Sequence, residues 1–345
     1  MSDTISFIHF TKEKSIGNDE GKNSTVFIAK DEQLGDKLVI KQMDKAKFKP
    51  DEYFSESKIL YNSKHPNIAE IQYASQDDKS IYLAMPYYPN GSLYSIGEKR
   101  YFTVREIIKY SLDLLSAVNY IHSKQLLHLD IKPTNILLDN SGKAILTDFG
   151  LSRYMNEFGI ANQPYNYRLH FDPECFIHSG RTVQSDIYQV GLTIYRLCNG
   201  VNILRQQSQD MKINDNKILK EYIEKGKFPD RKYFLPHIPK SLRKIVLKAL
   251  QIDKSKRYAN TIEIMNDLSD IDTNLDWVYK GKLNERYTKI DDSYKYVISV
   301  NSNNIDCYRI NLKTDRKSNI TKFCFKGLKQ DDIDQHIYDT IGGLN

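Results

Sequence analysis

The stretch HLDIKPTNILLD, residues 128–139, decides the reading of the chain. It places an imidazole, a carboxylate, an ammonium and an amide at His128, Asp130, Lys132 and Asn135, then runs into Ile136, Leu137 and Leu138. Pro133 and the crowding of polar groups exclude a helix here, so the pattern predicts a loop that leads into a short buried strand at residues 136–138. Loops held on a rigid scaffold are where chemistry usually sits.

Eighteen residues after Asp130 stands DFG, residues 148–150, which puts two carboxylates and one amide oxygen on neighbouring loops at the ends of a short hairpin. Such oxygens are hard ligands suited to Mg²⁺, which is usually held by one or two carboxylates together with substrate phosphates. Asn135 and Asp148 can share that metal. Asp130 is then left to accept a hydrogen bond from an attacking hydroxyl, and Lys132 to offset charge on the group transferred. Taken singly, a loop Asp is a turn or cap residue and a loop Lys is solvated. The conjunction of His128, Asp130, Lys132, Asn135, Asp148, Phe149 and Gly150 is what points to chemistry.

Upstream, residues 24–30 and 36–43 read as two antiparallel strands of a hairpin. Residues 50–64 read as a helix, with Pro50 and Asp51 as start signals and Tyr53, Glu56 and Leu60 on one face. Residues 67–75 and 80–88 are strand-like. From Thr103 the period changes: Ile107, Leu112, Leu115, Val118 and Ile121 keep the 3.6-residue repeat of an amphipathic helix. Ile187, Val190, Ile194 and Leu197 do the same, with Gly200 where a glycine ends helices. Further helices are expected at 217–225, 241–251 and 261–271. Beyond Trp277, residues 294–300, 305–311 and 320–328 read as strands, and 330–341 as a helix with Ile333, Ile337 and Ile341 on one face.

The 345 residues exceed one ordinary compact domain, and the +6 charge is spread without a polybasic block. Nothing in that balance demands nucleic acid or membrane. There is no signal-peptide pattern, and no apolar run approaches the roughly 18 residues a spanning helix needs, so a cytoplasmic protein is expected. Cys175, Cys198, Cys307 and Cys324 are widely spaced and read as reduced thiols.

With these motifs in this order, the chain resembles the eukaryotic-like serine/threonine protein kinases over about residues 10–271. The resemblance implies an α+β, two-lobed fold: a small β-rich N-lobe with one main helix (about 10–88), a larger, mainly helical C-lobe (about 89–272), and a C-terminal β-rich module (273–345). It implies ATP and Mg²⁺ as cofactors and protein substrates as partners. LVIK, residues 38–41, gives Lys41 as the ligand of the α and β phosphates, with Glu56 as its helix partner and Glu52 as the competitor. MPYYPNG, residues 85–91, resembles the adenine-binding hinge: Met85 stands in the gatekeeper position, Pro86 offers a carbonyl and Tyr88 a backbone donor. Gly17, Gly21, Val26, Val39 and Leu137 complete the implied ATP site. Asp172 to Glu174, Asp186 and Arg257 resemble the protein-docking half of the family, with Arg257 pairing Glu174; small-molecule kinases generally lack it.

Three departures stand out. The glycine loop IGNDEGKNSTV, residues 16–26, has Asp19 and Ser24 where glycines are usual, leaving fewer backbone conformations able to approach phosphate. Val39 replaces an alanine above the adenine. Leu129 replaces the arginine that in many members binds an activation-loop phosphate, so regulation by another route is expected. DIKPTN, residues 130–135, resembles the serine/threonine rather than the tyrosine class. A pseudokinase scaffold is the alternative reading. The C-terminal module has a partner protein or the kinase lobe itself as candidate targets; its bases barely exceed its acids, which disfavours nucleic acid.

Overall fold

The structure, a computed structural model, describes residues 8–16, 24–47, 54–162, 168–176, 180–281 and 285–344, with the side chains of Ser55, Glu56 and Glu285 outside that set. The first lobe is a five-stranded antiparallel sheet in the order β1-β2-β3-β5-β4. Its strands are β1 (Phe10–Ile16), β2 (Ser24–Asp31), β3 (Lys37–Asp44), β4 (Tyr73–Gln76) and β5 (Ser80–Pro86), with helix α1 (Ser55–Asn62) between β3 and β4. The sequence reading did not anticipate β1. Its interior is charged and exposed, as edge strands tend to be, which hides the alternation. Lys12 reaches Gln42 and Lys37 reaches Glu13 along that edge.

Residues 67–75, read as a strand, form one only from Tyr73. Asn67 and Ala69 instead pair with the second lobe: Leu146 N–H donates to the Asn67 carbonyl, Ala69 N–H donates to the Leu146 carbonyl, and Asn67 Nδ2 donates to the Ala144 carbonyl. The segment serves as a strap between the lobes.

The second lobe is built on α2 (Leu93–Gly97), α3 (Val104–Ser123), α4 (Val183–Asn199), α5 (Ile203–Asp210), α6 (Asn216–Glu224), α7 (Lys240–Ala249) and α8 (Thr261–Ser269). Thr103 and Glu106 form a reciprocal capping box that starts α3, and Ile107, Leu115, Val118 and Ile121 of its apolar stripe are buried while Leu112 is partly so. Helix α4 is buried on every side from Ser185 onward, which makes it the axle of the lobe. It ends at Gly200, whose φ of 100° is open to glycine at little cost. Two short ribbons lie above it: β6 (Leu126–Leu127) pairs with β9 (Arg153–Tyr154), and β7 (Ile136–Leu138) with β8 (Ala144–Leu146).

The C-terminal module is an antiparallel sheet of β10 (Val278–Tyr279), β11 (Glu285–Ile290), β12 (Tyr294–Asn301), β13 (Asn304–Asn311) and β14 (Lys317–Asn319), covered by α9 (Ile333–Gly342). Ile333, Ile337 and Ile341 pack with Trp277, Tyr287 and Ile298 into a core separate from that of the main lobe. The strand expected over 320–328 is absent: Thr321–Phe323 forms a 3-10 turn and only Phe325 bridges, to Ile305. Ile320, Phe323 and Phe325 pack on the core as loop residues, so apolar content there reflects burial and not pairing.

Candidate active site

Backbone register positions the site from both sides. In β7 and β8, Ile136 faces Leu146, and one step further Thr147 N–H donates to the Asn135 carbonyl at 2.9 Å. This bond brings Asn135 next to Asp148. In the first lobe, Val26 lies opposite Lys41, and Val39 opposite Met85. Cross-strand partners share a face, as do residues two apart on a strand. Val26, Val39, Lys41 and Met85 therefore line one face, and Lys41 fixes its direction: its Nζ donates to Asp148 Oδ1 at 2.8 Å. That ammonium is the main reason the Asp148 carboxyl is held down at about 2.

The catalytic-loop residues converge on Asp130. Its Oδ2 accepts from Asn135 Nδ2 at 2.9 Å and lies 3.1 Å from Lys132 Nζ. Its Oδ1 is enclosed with no donor among the described residues. Asn135 Nδ2 also donates to the Asp130 carbonyl, which commits the amide nitrogen inward and leaves Oδ1 as the side chain's metal-facing candidate. An amide oxygen and a carboxylate, Asn135 and Asp148, fit the hard-donor chemistry of Mg²⁺. Burial is the leading cause that pushes the Asp130 carboxyl up to about 6 against the pull of Lys132.

Helix α4 holds this loop from below. Asp186, fully buried, accepts from the His128 and Leu129 backbone N–H groups at 2.9 and 2.8 Å, and its Oδ2 lies 2.7 Å from His122 Nε2. One turn on, Gln189 accepts from Ile131 N–H and donates to the Leu129 carbonyl. These bonds fasten Leu129 at φ 64°, a conformation costly for a leucine. His128 Nδ1 accepts from Asp130 N–H while Nε2 faces the Thr147 carbonyl at 3.2 Å, the pattern of a neutral ring protonated at Nε2. Its burial, which lowers the pKa, keeps it neutral.

Glu174 and Arg257 form the expected pair, bidentate at 3.0 and 2.9 Å and buried. Asp172 bonds Arg181 and accepts from Cys175 Sγ. Leu137 lies half-buried between buried Ile136 and Leu138, and Pro86 closes β5 opposite Leu38. The Tyr88 carbonyl accepts from Gly91 N–H, and burial raises the Tyr88 phenol to about 12. Gly17, Gly21 and Glu52 fall outside the described residues, as does the side chain of Glu56.

The sequence reading missed Gln189 and His170. Gln189 stands three residues after Asp186 on the same helix face, a spacing that could have revealed it. His170 Nδ1 bonds the Ile131 carbonyl at 2.9 Å and its Nε2 meets Arg196 NH1 at 2.9 Å. No local pattern announces that contact between distant segments.

The family described as "Protein kinase domain" matches residues 10–268. The chain belongs to the protein kinase family. Its relatives include "Probable serine/threonine-protein kinase PknB" of Lactococcus lactis, 29% identical over 74% of this chain and 41% of that protein. A protein named as a probable serine/threonine-protein kinase in Clostridium perfringens is 26% identical over 73% of the chain and 37% of its own length. "Mitogen-activated protein kinase kinase kinase 2" of Arabidopsis thaliana is 28% identical over 59% of the chain and 33% of that protein. The kinase thus spans less than half the length of these relatives. Among the described residues, no helix is long and apolar enough to cross a membrane.

Proposed function

We propose that this kinase transfers a phosphoryl group from MgATP to serine or threonine hydroxyls of protein substrates, in a signalling or regulatory role. The observation that carries the reading is the Asp130 carboxylate, fixed through Oδ2 by Asn135 and Lys132 while Oδ1 is left with no described donor. The Asp130 carboxylate accepts the substrate hydroxyl's hydrogen bond and aims its oxygen. Bound MgATP supplies the phosphoryl group and the electrophilic charge. Asn135 and Asp148 would hold the metal, and Lys41, with Glu56 as its partner, would bind the α and β phosphates. Lys132 offsets charge on the transferred group. Gly17, Gly21, Val26, Val39, Met85 and Leu137 enclose the nucleotide, and the Pro86 carbonyl and Tyr88 N–H read the adenine edge.

The intact set of Lys41, Asp130, Asn135 and Asp148 weighs against a pseudokinase. A cytoplasmic site of action is in keeping with four free cysteines. Residues 273–345 are taken as a regulatory or targeting module. The test is transfer of radiolabel from ATP to a pool of serine, threonine and tyrosine peptides. Label on serine or threonine supports the reading, and no label on any peptide overturns it.

A further inference from the structure

We infer that the kinase selects substrates with acidic side chains beside the phosphoacceptor, and that a basic cavity next to the catalytic loop takes up those carboxylates. The inference deepens the proposed function and rests on its placing of the substrate hydroxyl at Asp130. The cavity, of about 580 Å³, is lined by Arg168, Leu169, Arg205, Ser208, Lys212 and Asn214 among others, and among the described residues no acidic one lines it.

Its position ties it to the reaction. Arg168 and Leu169 belong to the 3-10 turn Arg168–His170, whose last residue grips the Ile131 carbonyl, one residue from Asp130. The opposite wall is α5 and the turn after it. Arg168 NH2 donates across to the Ile213 carbonyl at 3.1 Å, which fixes the two walls together. A peptide whose hydroxyl reaches Asp130 thus passes close to this cavity.

Its charge specifies the occupant. Arg205 and Lys212 are exposed, and among the described residues neither they nor Arg168 has a carboxylate partner. Among the described residues, none accepts from the enclosed Nε–H of Arg168. Asp215, the nearby acid of the next turn, is occupied as the cap of α6 through Ile218 N–H. Three cations on separate elements around one open cavity suit several carboxylates of a peptide strand, and Leu169 and Ile213 give that strand an apolar floor.

The experiment uses the full chain and two labelled serine peptides, one flanked by glutamates and one by lysines. Binding is read by fluorescence anisotropy and phosphoryl transfer by kcat/KM, for the wild type and for Arg205→Glu combined with Lys212→Glu. Two or three exposed ion pairs give a preference of about tenfold for the glutamate peptide, falling with added salt, and the charge reversal inverts it. Equal binding of the two peptides, or a preference that survives the double substitution, overturns the inference. If the peptides are phosphorylated without regard to charge, the inference fails and the kinase reading stands. If the glutamate peptide binds with the expected charge dependence but is never phosphorylated, the docking cavity stands and the kinase reading fails.

Discussion

Leu129 and Ala161 share one small apolar cluster, buried with Leu127 and packed by Met155 and Val183. Leu129 lies in the catalytic loop; Met155 and Ala161 lie in the segment that follows DFG. That segment is also pinned through its backbone, by the β6–β9 ribbon, by Met155 N–H on the Gln125 carbonyl, and by the Ala161–Arg181 bridge. Where an arginine would need a phosphate to hold the segment, apolar contact holds its described part, at Met155 and Ala161, without one.

The kinase is therefore expected to work with an unmodified activation segment. Ser152, the one serine or threonine between Leu151 and Asp172, is itself buried and donates to the His128 carbonyl. After phosphatase treatment, with Ser152, Tyr154, Tyr165 and Tyr167 shown bare by mass spectrometry, the initial rate should match that of untreated protein. A rate that starts near zero and climbs as one of those residues is modified contradicts this.

Asp130 should set the acid limb of activity and weaken the fold at neutral pH. Its folded-state pKa of about 6 lies above the ordinary carboxylate value, so the folded state binds the extra proton between the two. Stability from this group is greatest below the ordinary value and is lost as pH rises to about 6 and beyond. Turnover, which needs the carboxylate, should fall below about pH 6. Asp130→Asn, neutral at every pH, should raise stability at pH 7.5 without nucleotide by on the order of 1–3 kcal/mol. A lower melting temperature for this variant would refute the burial argument.

The Glu174–Arg257 pair should be a stability determinant of the second lobe. Arg257 also donates to the carbonyls of Gln184, Gln251 and Ile252, so one side chain satisfies four residues on three segments. Arg257→Leu leaves a buried carboxylate and three carbonyls unpaired, at a cost of about 3–5 kcal/mol. In thermal unfolding the midpoint should drop by on the order of 10 °C. A change within 2 °C would show that the pair is dispensable.

The C-terminal module should undock in acid. His237 of the main lobe is fully buried, stacked on Tyr279 and in ring contact with Tyr287 of the module, and burial lowers its pKa to about 4. The unfolded or undocked state binds the proton more readily, so this contribution is complete above about 6.5 and is lost as pH falls towards 4. Arg105, paired with Asp276 at 2.6 and 2.8 Å, braces the same junction. Tryptophan fluorescence of Trp277, the sole tryptophan, should report a transition in that window. His237→Gln should flatten it, and an unchanged transition in that variant would contradict the assignment.

Much of the site is legible in the sequence because its residues lie in two short loops whose spacing a hairpin preserves: Asn135 bonds Thr147, next to Asp148, because Ile136 to Leu138 pairs with Ala144 to Leu146. The helices are equally plain where one face is apolar, as in α3. What stays hidden depends on distant contacts. Strand β1 is hidden by the charges of an edge, the strap at Asn67 by its pairing with the other lobe, and His170 by a bond to a loop 39 residues away. The cavity of Arg168, Arg205 and Lys212 likewise joins residues with no common motif.

The most direct test of the account is phosphoryl transfer by Asp130→Asn beside the wild type, with nucleotide affinity measured on the same preparations. The substitution keeps the side chain's size and its capacity to accept from Asn135, and removes the charge that aims the hydroxyl. The account predicts MgATP binding within about threefold of wild type and transfer to a serine peptide reduced by at least two orders of magnitude, the scale of general-base and positioning effects. Near-normal transfer by the variant would contradict the role given to Asp130 and with it the reading of the site.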